Sequence, residues 1–208
     1  MTPKITISIG RQFGSGGRIL GQSIAKRLGF KFYDNELISL AASEVGFDPS
    51  FFEDKDEKPS RLSFFSSVQH FFTPSIGQDM LSDAKIFEIQ SKVIRDISAK
   101  YNCVIMGRCS DYILRDNPYC VSVFFWAPMA DRIKRVCNRL NIYDEQEAER
   151  IISKADKERA EYYKYFTGKT WGKSTSYNVC VDVSMLGLER TIDFMIRLLK
   201  EKFGDLLL

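Results

Sequence analysis

Glycines and arginines are concentrated near the N-terminus in a pattern that could bind phosphate. The stretch from Gly10 to Ile19 reads GRQFGSGGRI, with four glycines in the eight positions 10–17 and arginines at 11 and 18. An alternating apolar segment at 5–10 precedes this stretch, and a helical pattern follows it at once. At such a junction, unpaired backbone N–H groups and the positive end of the helix dipole converge on one point. The pattern therefore predicts a phosphate-binding loop.

The loop departs from the usual motif G-x-x-x-x-G-K-[ST], in which the lysine reaches the transferred phosphate and the hydroxyl holds magnesium. Either Gly17 occupies the lysine's position, or the loop is one residue longer and Arg18 supplies the cation. No serine or threonine follows Arg18. The usual direct magnesium ligand is therefore missing in both alignments.

A further arginine, Arg108, follows Gly107 at the end of a predicted strand at 103–107. Ligands of open α/β sheets bind at the carboxyl ends of parallel strands. An arginine at that position can hold a phosphate through two parallel hydrogen bonds. We interpret Arg108 as a phosphate-binding residue, with a surface ion pair as the alternative.

A highly charged helical segment at 144–166 carries clustered ionic side chains. Lys154, Asp156, Lys157 and Arg159 lie within six residues of one another. Such a cluster could close over a polyphosphate as a lid, which would exclude water and neutralise charge in the transition state. The alternative is a solvated helix face held by salt bridges.

These residues must be positioned by strands that alternate with helices. Strands are predicted at 5–10, 30–34, 103–107, 119–127 and 177–183. Helices are predicted at 17–28, from 35, at 80–100, at 110–114, from 128, at 144–166 and at 187–203. The crossover lengths favour parallel pairing, so we expect a three-layer α/β fold with a five-stranded parallel sheet and helices on both faces. In the first helix, Ile19, Leu20 and Ile24 are predicted to share the buried face.

The composition narrows the class of protein. The 208 residues suit one domain with insertions, and a net charge of +3 is too small to indicate a nucleic-acid surface. No apolar run approaches the ~18 residues of a membrane span. Five cysteines without C-x-x-C spacing predict reduced thiols. We therefore expect a cytoplasmic protein with neither a nucleic-acid nor a membrane partner, and a homo-oligomer is compatible with the sequence.

Taken in order, the motifs resemble a known family. They are GSGG at 14–17, YD at 33–34, GR at 107–108, FFWAPMADRIKR at 124–135, DKERA at 156–160 and VDVSMLG at 181–187. This series looks like the cytidylate kinase branch of the nucleoside monophosphate kinases. It is more similar still to the divergent cytidylate kinase-like proteins whose loop reads GRxxGSGG. The resemblance extends from Ile5 to Leu199.

The resemblance implies a single P-loop kinase domain. Its core would comprise 1–34, 101–140 and 170–208, with a helical acceptor-binding insertion at about 35–100 and a lid at about 141–169. It further implies an ATP-dependent phosphotransferase that uses Mg²⁺ and transfers the γ-phosphoryl group of ATP to a small-molecule monophosphate. CMP and dCMP are the acceptors that the family suggests.

The resemblance also suggests site residues by position. The donor phosphates would contact the loop and the first turn of the helix, through Gly14, Ser15, Gly16, Gly17, Arg18 and Ile19. The acceptor would contact Asp34, Arg108, Asp111 and Asp156. The catalytic cations would be Arg18, Arg108, Lys157 and Arg159. No residue is assigned to a resident metal.

Three departures from the family pattern leave other functions open. The chain has Gly-Gly-Arg at 16–18 in place of Gly-Lys, and Cys109 follows Arg108 where the family has an aspartate, with Asp111 two positions later. No arginine follows Asp34 closely. One alternative is a regulatory protein that binds nucleotide with little or no turnover. Another is a kinase for a non-nucleotide alcohol, with Asp34 or Asp111 as general base.

Overall fold

The computed structural model describes residues 2–34 and 80–207. The strands are β1 (Thr6–Arg11), β2 (Lys31–Tyr33), β3 (Cys103–Met106), β4 (Cys120–Trp126) and β5 (Val179–Asp182). The helices are α1 (Gly17–Leu28), α2 (Met80–Lys100), α3 (Ser110–Ile113), α4 (Met129–Leu140), α5 (Glu145–Thr167) and α6 (Val183–Phe203), which breaks at Gly187. The predicted helix after Asn35 and the first part of the predicted insertion lie outside the described residues.

The five strands form one parallel sheet in the spatial order β2-β3-β1-β4-β5. β1 lies in the centre, with Thr6 aligned to Cys103 of β3 and to Cys120 of β4. The connections that leave β1 and β3 run in opposite directions across the sheet. In such sheets a crevice opens at the carboxyl ends of the strands where the connections part. The predicted parallel sheet is confirmed, and its topology brings the ends of β1 and β3 together.

Helices cover both faces of the sheet. On one face, Ile7 of β1 belongs to an apolar cluster that it shares with α1 and α6. On the opposite face, the hydroxyl of Thr6 lies 2.8 Å from that of Ser98 in α2, and the hydroxyl of Ser8 lies 2.6 Å from that of Ser110 in α3. Alternate side chains of β1 therefore contact different helical layers, and the three-layer arrangement is confirmed.

The first helix begins and ends where the sequence predicted. It starts at Gly17, and Gly29 follows its last residue in the left-handed conformation with φ +66°. Leu20 and Ile24 are fully buried, but Ile19 is 54% exposed, so the prediction that Ile19 shares the buried face was wrong. At 3.6 residues per turn, Ile19 lies about 100° around the helix from Leu20.

Helix α5 packs against the rest of the protein at two places. Near its start, Ala148 and Ile152 contact Val136 of α4 in a small apolar cluster. Near its end, the ring of Tyr163 is buried in a second cluster that includes Phe124 of β4. The highly charged segment predicted from the sequence is thus a helix with two apolar contacts to the core.

The cysteines are all free. Cys103 and Cys109 are buried, and the other three are partly buried. Burial raises the pKa of Cys103 to about 11, so this thiol stays protonated at neutral pH. Among the described helices, none combines the length and the apolar character needed to cross a membrane.

Candidate functional site

The loop between β1 and α1 is built around two glycines with left-handed backbones. Gly14 has φ +80° and Gly16 has φ +89°, conformations that cost other residues free energy. The hydroxyl of Ser15 donates to the carbonyl oxygen of Gln12 at 2.9 Å and accepts from the N–H of Gly17 at 3.3 Å. No side chain caps α1 at Gly16. The first turn of the helix therefore offers backbone N–H groups to an anion.

Helices α4 and α5 hold the loop from outside. The carboxylate of Asp156 accepts a hydrogen bond from the backbone N–H of Phe13 at 2.7 Å and another from Arg132 at 2.5 Å. Arg132 also donates to the carbonyl oxygen of Phe13 at 3.4 Å, and Arg135 donates to that of Gly14 at 3.4 Å. These arginines donate hydrogen bonds to carbonyl oxygens of the loop, which would otherwise repel an anion.

Arg11, the last residue of β1, extends from the loop to the end of β3. A Cβ atom placed on Gly17 would lie 2.6 Å from the Cβ of Arg11, and one placed on Gly107 would lie 2.5 Å from its Nη1. The carbonyl oxygen of Arg11 accepts a hydrogen bond from Arg159 of α5 at 3.0 Å. The guanidinium of Arg11 therefore lies where the loop, β3 and α5 meet.

Four guanidinium groups surround this point, and we call them the arginine cluster: Arg11, Arg18, Arg108 and Arg159. Burial and the charges of the other three lower the pKa of Arg11 to about 9, although Asp34 acts in the opposite direction. Burial also lowers the pKa of Arg159 to about 10. Both groups remain charged at neutral pH, so the cluster concentrates positive charge at the ends of β1 and β3. Arg108 is buried, Arg11 and Arg159 are partly buried, and Arg18 is half-exposed.

Arg18 and Asp34 form an ion pair across the mouth of the crevice. One carboxylate oxygen of Asp34 accepts from Nη2 of Arg18 at 2.6 Å and from its Nε at 3.2 Å. The side chain of Arg18 is 53% exposed, whereas that of Asp34 is largely buried. The structure therefore joins the predicted donor-site cation to the predicted acceptor-site carboxylate.

Arg108 lies in a turn that is conformationally unusual. Gly107, Arg108 and Cys109 have consecutive positive φ angles of +72°, +55° and +53°. Left-handed conformations of residues other than glycine cost of order 1–3 kcal/mol each, and they concentrate at functional sites. The N–H of Gly107 donates to the carbonyl oxygen of Ile9 at 2.9 Å, which ties the turn to β1. Arg108 is buried at the end of β3, beside Arg11.

Asp111 contacts α5. Its carboxylate accepts a hydrogen bond from the hydroxyl of Tyr163 at 2.6 Å, and the ring of Tyr163 stacks on that of Tyr177. Burial raises the pKa of Asp111, and the hydrogen bond from Tyr163 opposes this shift. Burial and the charge of Asp111 raise the pKa of Tyr163. The predicted acceptor residue Asp111 is therefore a polar contact within an aromatic cluster.

The predicted lid residues fall on two sides of α5. Asp156 and Arg159 share a helix face, as residues three apart do, and both contact the loop region. Lys157 is 76% exposed, and Glu161 lies 3.9 Å from it on the same helix. Lys157 is therefore not brought to the arginine cluster. Ile19 is exposed on α1, and Asp111 contacts Tyr163. The other predicted residues do meet around the ends of β1 and β3: Gly14, Ser15, Gly16, Gly17, Arg18, Asp34, Arg108, Asp156 and Arg159.

Two arginines at the site were not expected from the sequence. The sequence pattern marks Arg11 only as a flanking cation, although an arginine that ends a buried strand beside a glycine loop is itself a signal. Arg139 of α4 lies 4.9 Å from the ring centre of Phe13, and Arg159 lies 5.4 Å from it. Burial, with the charge of Arg18, lowers the pKa of Arg139. Positive charge therefore continues along the outer side of the loop.

The side chains fit nucleotide phosphates better than a resident metal. In the described part of the chain, no group of three His, Cys, Asp or Glu side chains could hold a metal ion. Ile19 stands after Arg18, and the hydroxyl of Ser15 is engaged with Gln12. Mg²⁺ commonly keeps several waters and binds through substrate phosphates. The residues present are therefore compatible with magnesium that arrives on a nucleotide.

Solved structures share this fold. An uncharacterized protein from Eubacterium ventriosum ATCC 27560 superposes with a TM-score of 0.72 at 26% identity, over 95% of this chain and 99% of that one. Shikimate kinase from Bacteroides thetaiotaomicron gives a TM-score of 0.52 at 17% identity, over 95% and 97% of the two chains. Shikimate kinase from Acinetobacter baumannii, in complex with shikimate, gives 0.51 at 11% identity, over 98% and 97%. The shikimate kinases establish a common kinase fold.

A comparison with curated protein sequences gives no match. The profile of the cytidylate kinase-like family, in contrast, matches residues 6–185, which include the loop, the arginine cluster and α5. The 208-residue chain therefore belongs to the cytidylate kinase-like family.

Proposed function

We propose that this protein is an ATP-dependent phosphotransferase that transfers the γ-phosphoryl group of ATP to a small monophosphate, with CMP and dCMP as the first candidates. The arginine cluster between the phosphate loop and the end of β3 is the observation that carries this proposal. It combines buried and partly buried cations with a loop whose helix begins without a side-chain cap.

The charge balance of the cluster favours a polyanion. Asp34 accepts hydrogen bonds from Arg18, and Asp156 accepts one from Arg132, which lies outside the cluster. The neighbouring positive charges act on Arg11, because burial and the charges of Arg159 and Arg108 lower its pKa. Buried like charges repel, so an anion with two or more negative charges would be bound strongly there. The triphosphate of ATP meets this requirement.

Phosphoryl transfer depends on positioning and on charge neutralisation more than on covalent catalysis. In the proposed reaction, the N–H groups of the loop and Arg18 bind donor phosphates, and Arg108 binds the acceptor. Arg159 of α5, which donates to the carbonyl oxygen of Arg11 at 3.0 Å, neutralises charge on the transferred group. Bound magnesium would add charge neutralisation on the phosphate oxygens. An acceptor that is already a phosphate anion needs no general base.

The departures at Gly17 and Ile19 favour one second candidate, a protein that binds nucleotide but turns it over weakly or not at all. A kinase for a hydroxylated metabolite is a variant of the first proposal, because Asp34 could then accept the proton of the hydroxyl.

ADP release measured with ATP, Mg²⁺ and a panel of acceptors separates these functions. The panel comprises CMP, dCMP, the other nucleoside monophosphates and small hydroxylated acids. We expect release to depend on one monophosphate and to fall at least tenfold in Arg108→Gln, while Arg115→Gln, an exposed arginine outside the site, retains activity. Tight ATP binding without release for any acceptor would establish the nucleotide-binding protein instead.

A further inference from the structure

We propose that Arg11 supplies the phosphate-binding cation that the loop lacks at Gly17, so that a cation and a glycine have exchanged positions within the motif. This inference rests on the proposed function, because it names the residue that binds the donor's terminal phosphates. The side chain of Arg11 runs from Gly17 to Gly107.

The alignment of the motif places the two residues at its ends. The motif G-x-x-x-x-G-K-[ST] has its lysine six positions after its first glycine. When Gly16 and Gly17 take the places of the second glycine and the lysine, the first position is Arg11. The helix starts at Gly17, as expected for a residue at the lysine's position. The chain thus has arginine where the motif has glycine, and glycine where it has lysine.

The packing explains why both exchanges occur together. A Cβ atom on Gly17 would lie 2.6 Å from the Cβ of Arg11, closer than real side chains approach, and 3.0 Å from its Cγ, a tight contact. These atoms belong to the base of the arginine side chain, which cannot swing aside as its tip can. The stem of Arg11 therefore fills the volume in which a side chain at position 17 would begin.

The tip of Arg11 then reaches the place where phosphate is transferred. Its Nη1 lies against the Cα atom of Gly107, where an added Cβ would approach to 2.5 Å. Among the described residues, no carboxylate forms an ion pair with the Arg11 guanidinium. Burial and the charges of Arg159 and Arg108 lower its pKa, and the more distant charge of Asp34 raises it. A guanidinium in these surroundings has donors for a phosphate and no competing described anion in contact.

An exchange experiment on the full-length chain tests the proposal. Four variants are compared with the wild-type protein: Arg11→Met, Arg11→Gly, Gly17→Lys and the double variant Arg11→Gly/Gly17→Lys. Titration calorimetry measures the affinity for ATP with Mg²⁺ and for tripolyphosphate, and thermal unfolding reports folding. Arg115→Gln is the control for the loss of one positive charge at an exposed site.

We expect Arg11→Gly and Arg11→Met to lower the affinity for both ligands by roughly 10- to 100-fold, because a charged hydrogen-bond donor is lost. Gly17→Lys alone should unfold at a lower temperature because its side chain collides with Arg11. The double variant should fold normally and bind both ligands at least tenfold more tightly than Arg11→Gly does. Arg11→Met keeps most of the stem volume, so it provides the affinity measurement if Arg11→Gly does not fold.

The remaining outcomes separate the two proposals. Wild-type affinity in Arg11→Met overturns the assignment of Arg11 while the proposed function stands. A folded double variant that binds as weakly as Arg11→Gly also overturns the proposal that the cation and the glycine have exchanged positions. Binding of tripolyphosphate that depends on Arg11, without binding of ATP, supports the phosphate site and rejects the proposed function. Failure of the wild-type protein to bind either ligand overturns both.

Discussion

The carboxylate of Asp156 accepts a hydrogen bond from the backbone N–H of Phe13 at 2.7 Å, although 143 residues separate the two positions. The same carboxylate pairs with Arg132, which is buried. One side chain of α5 therefore fixes the shape of the phosphate loop and neutralises a buried cation of α4. Asp156 therefore links α5 to the loop between β1 and α1, in addition to the hydrogen bond from Arg159 to the carbonyl oxygen of Arg11.

Asp156→Asn is expected to destabilise the protein by about 3 kcal/mol, because removing one partner of a buried ion pair leaves the other charge uncompensated. Urea denaturation measures the change in the free energy of unfolding. Glu161→Gln is the matched control, since Glu161 is exposed and its contact with Lys157 spans 3.9 Å. We expect Glu161→Gln to change the free energy of unfolding by less than about 0.5 kcal/mol. A change as small as this in Asp156→Asn would show that the ion pair does not hold the loop.

Gly107→Ala is expected to weaken the binding of ATP and of tripolyphosphate at least tenfold. Its added Cβ would displace Nη1 of Arg11 from the end of β3. Gly29→Ala is the matched control, because Gly29 also has a positive φ, +66°, but has no atom within 4 Å of the added Cβ. Both variants should lose about 1 kcal/mol of stability through backbone strain. Equal affinities in the two variants would contradict the position given to Arg11.

Asp34→Asn is expected to strengthen ATP binding by about two- to fivefold, because it removes a negative charge beside the arginine cluster and releases Arg18. Titration calorimetry at low and at moderate salt measures this effect, which should shrink as salt screens the charges. Weaker ATP binding in Asp34→Asn would show that this carboxylate takes part in holding the donor.

Arg18→Ala should weaken ATP binding less than Arg11→Met does, because Arg18 is half-exposed and already paired.

Asp111→Asn is expected to stabilise the protein at pH 8. Burial raises the pKa of Asp111 in the folded state above the model-compound value of 3.8, so the folded protein binds the proton more tightly than the unfolded chain does. Ionisation of Asp111 therefore lowers stability as the pH rises through the folded-state pKa, and this cost is absent below 3.8. The asparagine oxygen can still accept from Tyr163.

Thermal unfolding at pH 4.5 and pH 8 checks this prediction. The gain in Tm of Asp111→Asn over the wild-type protein should be larger at pH 8 than at pH 4.5. A loss of Tm at pH 8 would mean that the ionised carboxylate stabilises the fold through its contact with Tyr163. Loss of catalysis without a change in Tm would show instead that Asp111 contributes to the acceptor site.

The sequence predicted the elements of the core well because each has a local signal. Gly29 marks the end of α1, and the alternating residues of β1 identify a central strand. The error at Ile19 arose because the buried stripe of α1 runs through Leu20, Ile24 and Ala25, and Ile19 lies outside it. A helical pattern fixes which positions share a face, but the face that is buried depends on the neighbours that pack against it.

The contacts of the site were less predictable because they join distant segments. The sequence placed Arg108 at the end of a strand correctly, and the helical spacing of Asp156 and Arg159 already puts them on one face. That this face meets Phe13 follows only from the packing of α5 on α4. Arg11 was overlooked because its role depends on Gly17 and Gly107 leaving room for its side chain, which no local pattern reveals.

Phosphorus NMR of a mixture of ATP, Mg²⁺, CMP and the wild-type protein tests the central claim most directly, because it distinguishes transfer from hydrolysis. We expect the γ-phosphate signal of ATP to decline while the signals of ADP and of a nucleoside diphosphate product rise together. The same experiment with dCMP and with the acceptor found by ADP release extends it to other substrates. An unchanged ATP spectrum with every acceptor, or the appearance of inorganic phosphate alone, would contradict a phosphotransferase.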